Sequence, residues 1–133
     1  MILDSSAIIA SILGEPTAER LGVIIGAASA CRVSAPTLVE TSLVLTWREG
    51  HHGPSLLASF MQRRRFDVVA FGDAHWRVAQ SAFTRFGKGR HPAALNFGDC
   101  LTYATAWVAR EPLLCIGDDF PQTDLELVAL EES

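Results

Sequence analysis

Five acidic side chains stand where a carboxylate needs a reason. Asp4 breaks the apolar start Ile2-Leu3, where a first buried strand would end. Its ordinary role there is to cap the helix that follows, although Ser5 and Ser6 can cap as well. Glu40 falls one turn into a helix opened by Ser34 and Pro36. Helical spacing groups it with Leu43, Val44 and Trp47 at the edge of a core, and a first-turn Glu is also favoured by the helix dipole. Asp99 follows Leu95-Asn96-Phe97-Gly98, which with Asn96 as N-cap gives it the third helical position of a capping-box arrangement. Yet the helix it opens (Cys100, Leu101, Tyr103, Ala104, Trp107, Val108) is nearly all apolar. A carboxylate at the mouth of a buried helix calls for a partner or a metal, and Gly98 beside it lets a ligand come close to the backbone. Asp118 and Asp119 follow another short apolar run, in turn chemistry of the common Gly-Asp kind. Asp124 reads as a cap or turn residue.

Each ordinary role is sound alone. Together, Asp4, Asp99 and Asp118 or Asp119 are expected at one sheet edge, with Glu40 on a helix bordering it. Like charges gathered in one place repel unless a cation neutralises them. Hard oxygen ligands select Mg²⁺ or Mn²⁺ over softer metals. Such an ion, held by a few carboxylates, suits phosphodiester hydrolysis, because it can activate water, orient the phosphate and stabilise the leaving oxygen.

The elements that must position these acids alternate short apolar runs with helical periodicity, an α/β pattern. Ile2-Leu3 is the first strand, followed by a helix through Ala7–Ala10 that Gly14 stops. Pro16 opens a second helix carrying Leu21, Val23, Ile24 and Ile25. Cys31-Arg32-Val33 is the second strand, and a helix runs from Ser34 and Pro36 to Glu49, closed by Gly50. A loop over His51–Pro54, a helix over Ser55–Arg65 and a strand over Phe66–Phe71 come next. Asp73 is expected to cap the helix of Val78 and Phe83. After a loop with two glycines, Asn96 or Gly98 opens the apolar helix, Leu113–Ile116 is the fourth strand, and Leu125–Leu130 the last. Such an order implies right-handed crossovers and a mainly parallel sheet, covered on both faces, of roughly five strands. Ligands bind outside the carboxyl ends of strands in such sheets.

With 133 residues, 49% hydrophobic and 20% charged, the chain suits a single globular domain spanning residues 1–133. No apolar run approaches the roughly 20 residues of a membrane span, and no secretory signal is read at the start. Cys31, Cys100 and Cys115 lie in apolar contexts without CxxC spacing, which predicts reduced thiols and a cytoplasmic setting and argues against zinc. The net charge of −4 does not exclude a polyanion, because local charge decides where phosphates lie. Arg63-Arg64-Arg65 is one basic group; Arg85, Lys88, Arg90 and His91 form another, just upstream of Asp99. Solvated helix ends are the ordinary reading of both.

Met-Ile-Leu-Asp-Ser-Ser-Ala at the start, Pro-Thr-Leu-Val-Glu-Thr around Glu40, Leu-Asn-Phe-Gly-Asp-Cys ending at Cys100 and Gly-Asp-Asp-Phe-Pro-Gln-Thr-Asp-Leu resemble, in order and spacing over nearly the whole chain, PIN-domain ribonucleases. Within them the sequence is most similar to the VapC toxins of type II toxin–antitoxin pairs. The resemblance implies a PIN-like α/β/α sandwich with Asp4 and Asp99 as the Mg²⁺ (or Mn²⁺) ligands and Glu40 completing the acidic centre. Where many members carry an Asp three residues before the Phe of the last motif, this chain has Gly117. Asp119 is the expected substitute, with Asp118 next. Ser6 matches a small hydroxyl residue lining the site. The resemblance further implies a metal-activated water attacking an RNA phosphate in line, a tRNA or rRNA substrate steered by Arg85, Lys88, Arg90 and His91, a homodimer, and a VapB-like antitoxin. Ile12, Leu13, Phe60 and Met61 are candidates for the antitoxin groove. The alternatives are an RNA-processing nuclease without an antitoxin, a non-catalytic RNA-binding domain, and an aspartyl-phosphate hydrolase. The last needs an acid two residues after Asp4, where Ser6 stands.

Overall fold

The computed structural model describes residues 1–131. Four strands form one all-parallel sheet in the order β3-β2-β1-β4. They are β1 (Ile2–Leu3), β2 (Cys31–Ser34), β3 (Phe66–Val69) and β4 (Leu113–Leu114). Helices α1 (Ser5–Ile12) and α2 (Ala18–Ala27) join β1 to β2; α3 (Ala35–Glu49) and α4 (Gly53–Gln62) join β2 to β3; α5 (Asp73–Phe86) and α6 (Phe97–Ala109) join β3 to β4. Each parallel crossover thus carries a helical pair, as parallel pairing requires.

Strand pleating divides the core in two. Leu3, Val33 and Leu114 face one cluster, built with Ile8, Leu21, Leu45, Leu57 and Phe60. Ile2, Leu113 and Cys115 face the other, with Ala82, Leu95, Tyr103 and Phe120. The α/β/α layering expected from the sequence is therefore present. Register fixes the central strand: Ile2 pairs with Arg32 on one side and Leu113 on the other. The chain crosses over to opposite sides of β1, so the carboxyl end of β1 is the switch point at which α/β sheets bind ligands.

Several boundaries differ from the sequence reading. The expected fifth strand, Leu125–Leu130, is one parallel bridge, Leu113 to Leu127. Its side chains alternate between the two clusters, Leu125 and Leu127 on one face and Val128 and Leu130 on the other. Leu113 bonds on both sides of Leu127, its N–H donating to the Glu126 carbonyl at 3.0 Å and its carbonyl accepting from the Val128 N–H at 2.9 Å. The segment therefore runs beside β4 with its pairing limited to that bridge. β4 pairs over two residues, and the following Ile116 N–H is taken by Ser6 Oγ at 3.0 Å instead of by a strand. Gly72 is the N-cap residue of α5; Asp73 is its first helical residue, binding Trp76 Nε1 at 2.8 Å and Arg77 Nε at 3.1 Å. The expected loop at His51–Pro54 is a tight turn, with α4 beginning at Gly53.

That early start has a steric reason. A Cβ at Gly53 would lie 2.5 Å from the Thr46 backbone nitrogen, so the α3–α4 corner closes only on glycine. Gly53→Ala is expected to destabilise the domain by about 1–3 kcal/mol, as overpacking of a tight contact does. Urea unfolding measures it, and an unchanged midpoint would contradict the close approach.

Candidate active site

Asp4 follows β1 directly and is 4% exposed. Its carboxylate is the N-cap of α1, accepting from Ser6 N–H at 3.1 Å and from the Ser6 hydroxyl at 2.6 Å through Oδ2. Oδ1 accepts from Thr102 Oγ1 at 2.8 Å. Of the three cap candidates in the sequence, Asp4, Ser5 and Ser6, Asp4 fills the cap, and Ser6 binds Asp4. A buried charge is tolerable only when bonded in this way. Behind Thr102 runs a chain of buried hydroxyls: Thr37 Oγ1 is 3.4 Å from Thr102 Oγ1, and Ser34 Oγ donates to Thr37 Oγ1 at 2.8 Å.

Asp99 has two duties. It closes the capping box of α6, with Asn96 N–H donating to Asp99 Oδ2 at 3.0 Å and Asp99 N–H to Asn96 Oδ1 at 2.9 Å. The same carboxyl is pushed up to about 7. Burial is the main cause, with the charges of Asp4 and Asp119 and a side-chain hydrogen bond with Asp119 adding to it, against the Asn96 backbone bond. Burial also raises Glu40, with Asp4 acting in the same direction and a hydrogen bond from Ser5 opposing. A Cβ at Gly98 would overlap the Glu40 carboxylate, so the glycine makes room for a neighbouring acid.

The chain's own thiols register the convergence. Cys115 is raised to about 12 by burial and then by Asp4, Asp99 and Asp119, and Cys100 to about 11 by burial and Asp99. Buried and protonated, these thiols are not nucleophiles.

The structure thus brings Asp4, Glu40, Asp99 and Asp119 together at the carboxyl ends of β1 and β4. Asp118 has no such contact; its carbonyl accepts from Gln122 Nε2. Gly117 sits at φ 110°, a region that disfavours Asp, so an acid in this turn is accommodated more readily at Asp118 or Asp119. Among the described residues no group of three or more His, Cys, Asp or Glu side chains is arranged to hold a metal ion as the side chains stand. The chemistry of the donor set nonetheless fits Mg²⁺ or Mn²⁺, since the four carboxylates offer hard oxygens alone.

The basic groups fare differently. Arg63–Arg65 lies between α4 and the start of β3, at the sheet's opposite edge, with Arg64 bonded to the Ala28 carbonyl. Arg85 is held by Asp124 at 2.6 Å, Arg90 Nε by the Thr84 carbonyl at 3.0 Å, and His91 Nδ1 by the Ala93 N–H at 3.0 Å. Lys88 has an exposed side chain in the turn closed by its own N–H to the Leu95 carbonyl. Ile12, Leu13 and Met61 are half-buried against the core and Phe60 belongs to it; of the four, Phe60 lines a surface cavity, with Ile25, Arg63 and Phe66.

The pH dependence follows from sign. The folded-state pKa of Asp99 lies above the roughly 3.9 of an unfolded Asp, so the native state binds more protons between those values and loses stability as pH rises through them. Glu40 acts in the same direction. Metal-free protein is therefore expected to melt at progressively lower temperature from about pH 4 to about pH 7. Asp99→Asn should raise the melting temperature at pH 8 and flatten that slope, since an amide oxygen still closes the capping box. A lower melting temperature at pH 8 would mean that capping outweighs repulsion.

The PIN-domain family profile matches residues 1–125. Ribonuclease VapC36 of Mycobacterium tuberculosis is 46% identical over 127 residues, covering 95% of this chain and 91% of that protein. Ribonuclease VapC30 of the same species is 38% identical over 130 residues, covering 98% and 99%. Among solved structures, M. tuberculosis VapC20, a Sarcin-Ricin loop cleaving toxin, superposes with a TM-score of 0.77 at 17% identity over 96% of this chain and 97% of that one. VapBC2 from Rickettsia felis, bound to a DNA fragment from its promoter, gives 0.76 at 15% identity over 96% of each chain; at these identities the likeness is one of fold. The chain belongs to the PIN-domain family, among its VapC-type ribonuclease toxins.

Proposed function

We propose that this PIN domain is a Mg²⁺- or Mn²⁺-dependent endoribonuclease cutting tRNA or rRNA, the toxin of a pair whose VapB-like antitoxin blocks the same site. The observation that carries the reading is the crowding of Asp4, Glu40, Asp99 and Asp119 at the switch point, with Asp99 raised to about 7. Asp4 and Asp99 would hold the cation, and Glu40 and Asp119 would complete its surroundings. When bound, the ion supplies a nucleophilic water at neutral pH and positive charge against the scissile phosphate. The chain's residues do the rest. Thr102 and Ser6 fix the orientation of Asp4, Asn96 fixes Asp99, and Ser5 holds Glu40 beside Gly98. Among Arg85, Lys88, Arg90 and His91, Lys88 is the one whose side chain is not bonded among the described residues, and it would meet an RNA backbone from the turn that leads to α6. The free, buried cysteines support a reducing, cytoplasmic setting, and no helix among the described residues is long and apolar enough to cross a membrane.

Cleavage of total cellular RNA by the purified protein tests this reading. Discrete fragments are expected with Mg²⁺ or Mn²⁺ and none with EDTA or with Asp99→Asn. Gly98→Ala should keep its melting temperature, because the Glu40 side chain can swing away, yet lose roughly tenfold or more in rate through that displacement. Unchanged cleavage by Asp99→Asn would overturn the assignment.

We also propose a homodimer, on the outer face of α3. Val39, Leu43 and Trp47 are 60%, 66% and 90% exposed at i, i+4, i+8, and Phe97 is 79% exposed beside them. Apolar cavities of about 550 and 360 Å³ meet at Phe71, Phe97 and Leu101. Trp47 and Phe97 alone, at roughly 150–250 Å² each, match the largest apolar patch of an ordinary monomer. Sedimentation at micromolar concentration is expected to give a dimer that Trp47→Glu or Leu43→Glu converts to monomer; a monomeric wild type would refute it.

A further inference from the structure

The proposed function makes no use of Asp124, whose side chain is nevertheless bonded on both oxygens. Tyr103 OH donates to Asp124 Oδ1 at 2.6 Å, and Arg85 Nη2 lies 2.6 Å from Asp124 Oδ2. Arg85 Nη1 also reaches Tyr103 OH at 3.5 Å. The ion pair is half-exposed, with side chains 45% and 38% accessible, and by itself contributes little. The phenol is different. Tyr103 is 1% exposed, and a buried tyrosine hydroxyl needs a partner. Burial and the neighbouring Asp124 push it up to about 12, so it stays a donor throughout the physiological range.

The position of this contact relative to the acidic centre gives it meaning. Asp99 and Tyr103 are four residues apart on α6 and so lie on the same face, one turn apart. The chain from 119 to 124 runs beside that face and touches it at both ends. Asp119 meets Asp99 at one end, and Asp124 meets Tyr103 at the other. Between them Phe120, 3% exposed, is sunk in the core, and the turn is closed by Thr123 N–H to the Phe120 carbonyl at 2.9 Å and by Thr123 Oγ1 to the same carbonyl at 2.7 Å. On the other side of Asp119 the chain passes through Gly117 at φ 110°, where a glycine gives the backbone the most freedom. The turn carrying Asp119 therefore starts on a left-handed glycine and is pinned after its end.

We infer that Asp124, gripped by Tyr103 and Arg85, is the positioning residue that sets Asp119 against Asp99 and so completes the acidic centre. It acts through Asp119 and does not touch the substrate or the metal. The inference rests on the proposal that the centre holds a divalent cation, and the test separates the two. Mn²⁺ is titrated calorimetrically into wild type, Asp124→Ala, Asp119→Asn and the double variant, well below their melting temperatures. Supporting groups behind a ligand set commonly change metal affinity about tenfold or more, and that loss is expected for Asp124→Ala. The two effects should not add, with the double variant binding no more weakly than Asp119→Asn alone, because both act through one carboxylate.

Tyr103→Phe should weaken Mn²⁺ as Asp124→Ala does, whereas Asp124→Asn, which keeps an acceptor for Tyr103, should restore most of the affinity even if its melting temperature falls. A merely structural latch would lower the melting temperature and leave Mn²⁺ affinity untouched; that result, or additive effects in the double variant, overturns the assignment of Asp124. Absence of stoichiometric Mn²⁺ binding by the wild type would overturn the proposed function and this inference together.

Discussion

A carboxylate buried at the centre of a sheet edge has to be bonded on all sides or the domain cannot afford it, and the bonds made to Asp4 tie the site together. Ser6 donates to it from α1 and, through the same hydroxyl, accepts from Ile116 at the exit of β4. Thr102 donates from the second turn of α6, and behind it Thr37 and Ser34 extend the hydroxyl chain to α3 and the end of β2. Three helices and the ends of the central strands are thus oriented by one charge. Hydrophobic burial supplies the drive to fold, but it does not specify direction; these short, directional bonds do.

The same arrangement works against itself. Asp99 is fixed in place by the capping box it shares with Asn96, so α6 cannot form properly without drawing a second carboxylate toward Asp4. Glu40 is brought to Gly98, and Asp119 to Asp99. Each placement is locally favourable, as a cap, a first-turn acid or a turn residue. Their sum is repulsive: the Asp99 carboxyl, raised mainly by burial, is raised further by Asp4 and Asp119. A single amide in place of one of these carboxylates would relieve the repulsion, and in the proposed function a bound cation does so.

Much of this was legible in the sequence because the acids sit beside punctuation. Asp4 ends a two-residue apolar run, Asp99 follows Asn96 at capping-box spacing, and Gly117 marks the turn that carries Asp119. The layered fold followed from alternating periods, and the sheet from its apolar runs. Thr102, Thr37 and Ser34 were missed as site residues, because a threonine in an apolar helix carries no pattern and its hydroxyl acquires meaning only from a partner 98 residues away. The basic cluster before Asp99 was legible only in part, for a related reason. Charge is visible in sequence, but whether a guanidinium is free or already spent, as Arg85 is on Asp124, depends on tertiary contacts. The last segment has the alternation of a strand, with side chains for both cores, but its pairing with β4 is the single bridge of Leu113 to Leu127, and alternation reports faces, not the extent of pairing.

The reading of α3 inverted inside and outside, and the inversion is informative. Leu43 and Trp47 were grouped with Glu40 at the core edge, yet the inward face of this helix is Thr37, Thr41 and Leu45, all buried, while Val39, Leu43 and Trp47 face out. Hydrophobic periodicity reports which face is removed from water in the working state of a protein, and not which face the isolated chain removes. An inward face can afford threonines when their hydroxyls are satisfied, as Thr41 is by the Thr37 carbonyl at 2.7 Å and Thr37 by Ser34. An outward face ending in a Trp that is 90% exposed has no such compensation in the single chain. Helix α3 therefore has two faces to satisfy: hydroxyls toward the acidic centre and, in the proposed dimer, apolar surface toward a second copy. Glu40 stands on the border between them, lining the larger apolar cavity while its carboxylate meets Gly98. In the proposed dimer the assembly that buries this stripe would also wall one side of the active site, which would couple the shape of the RNA channel to the state of association.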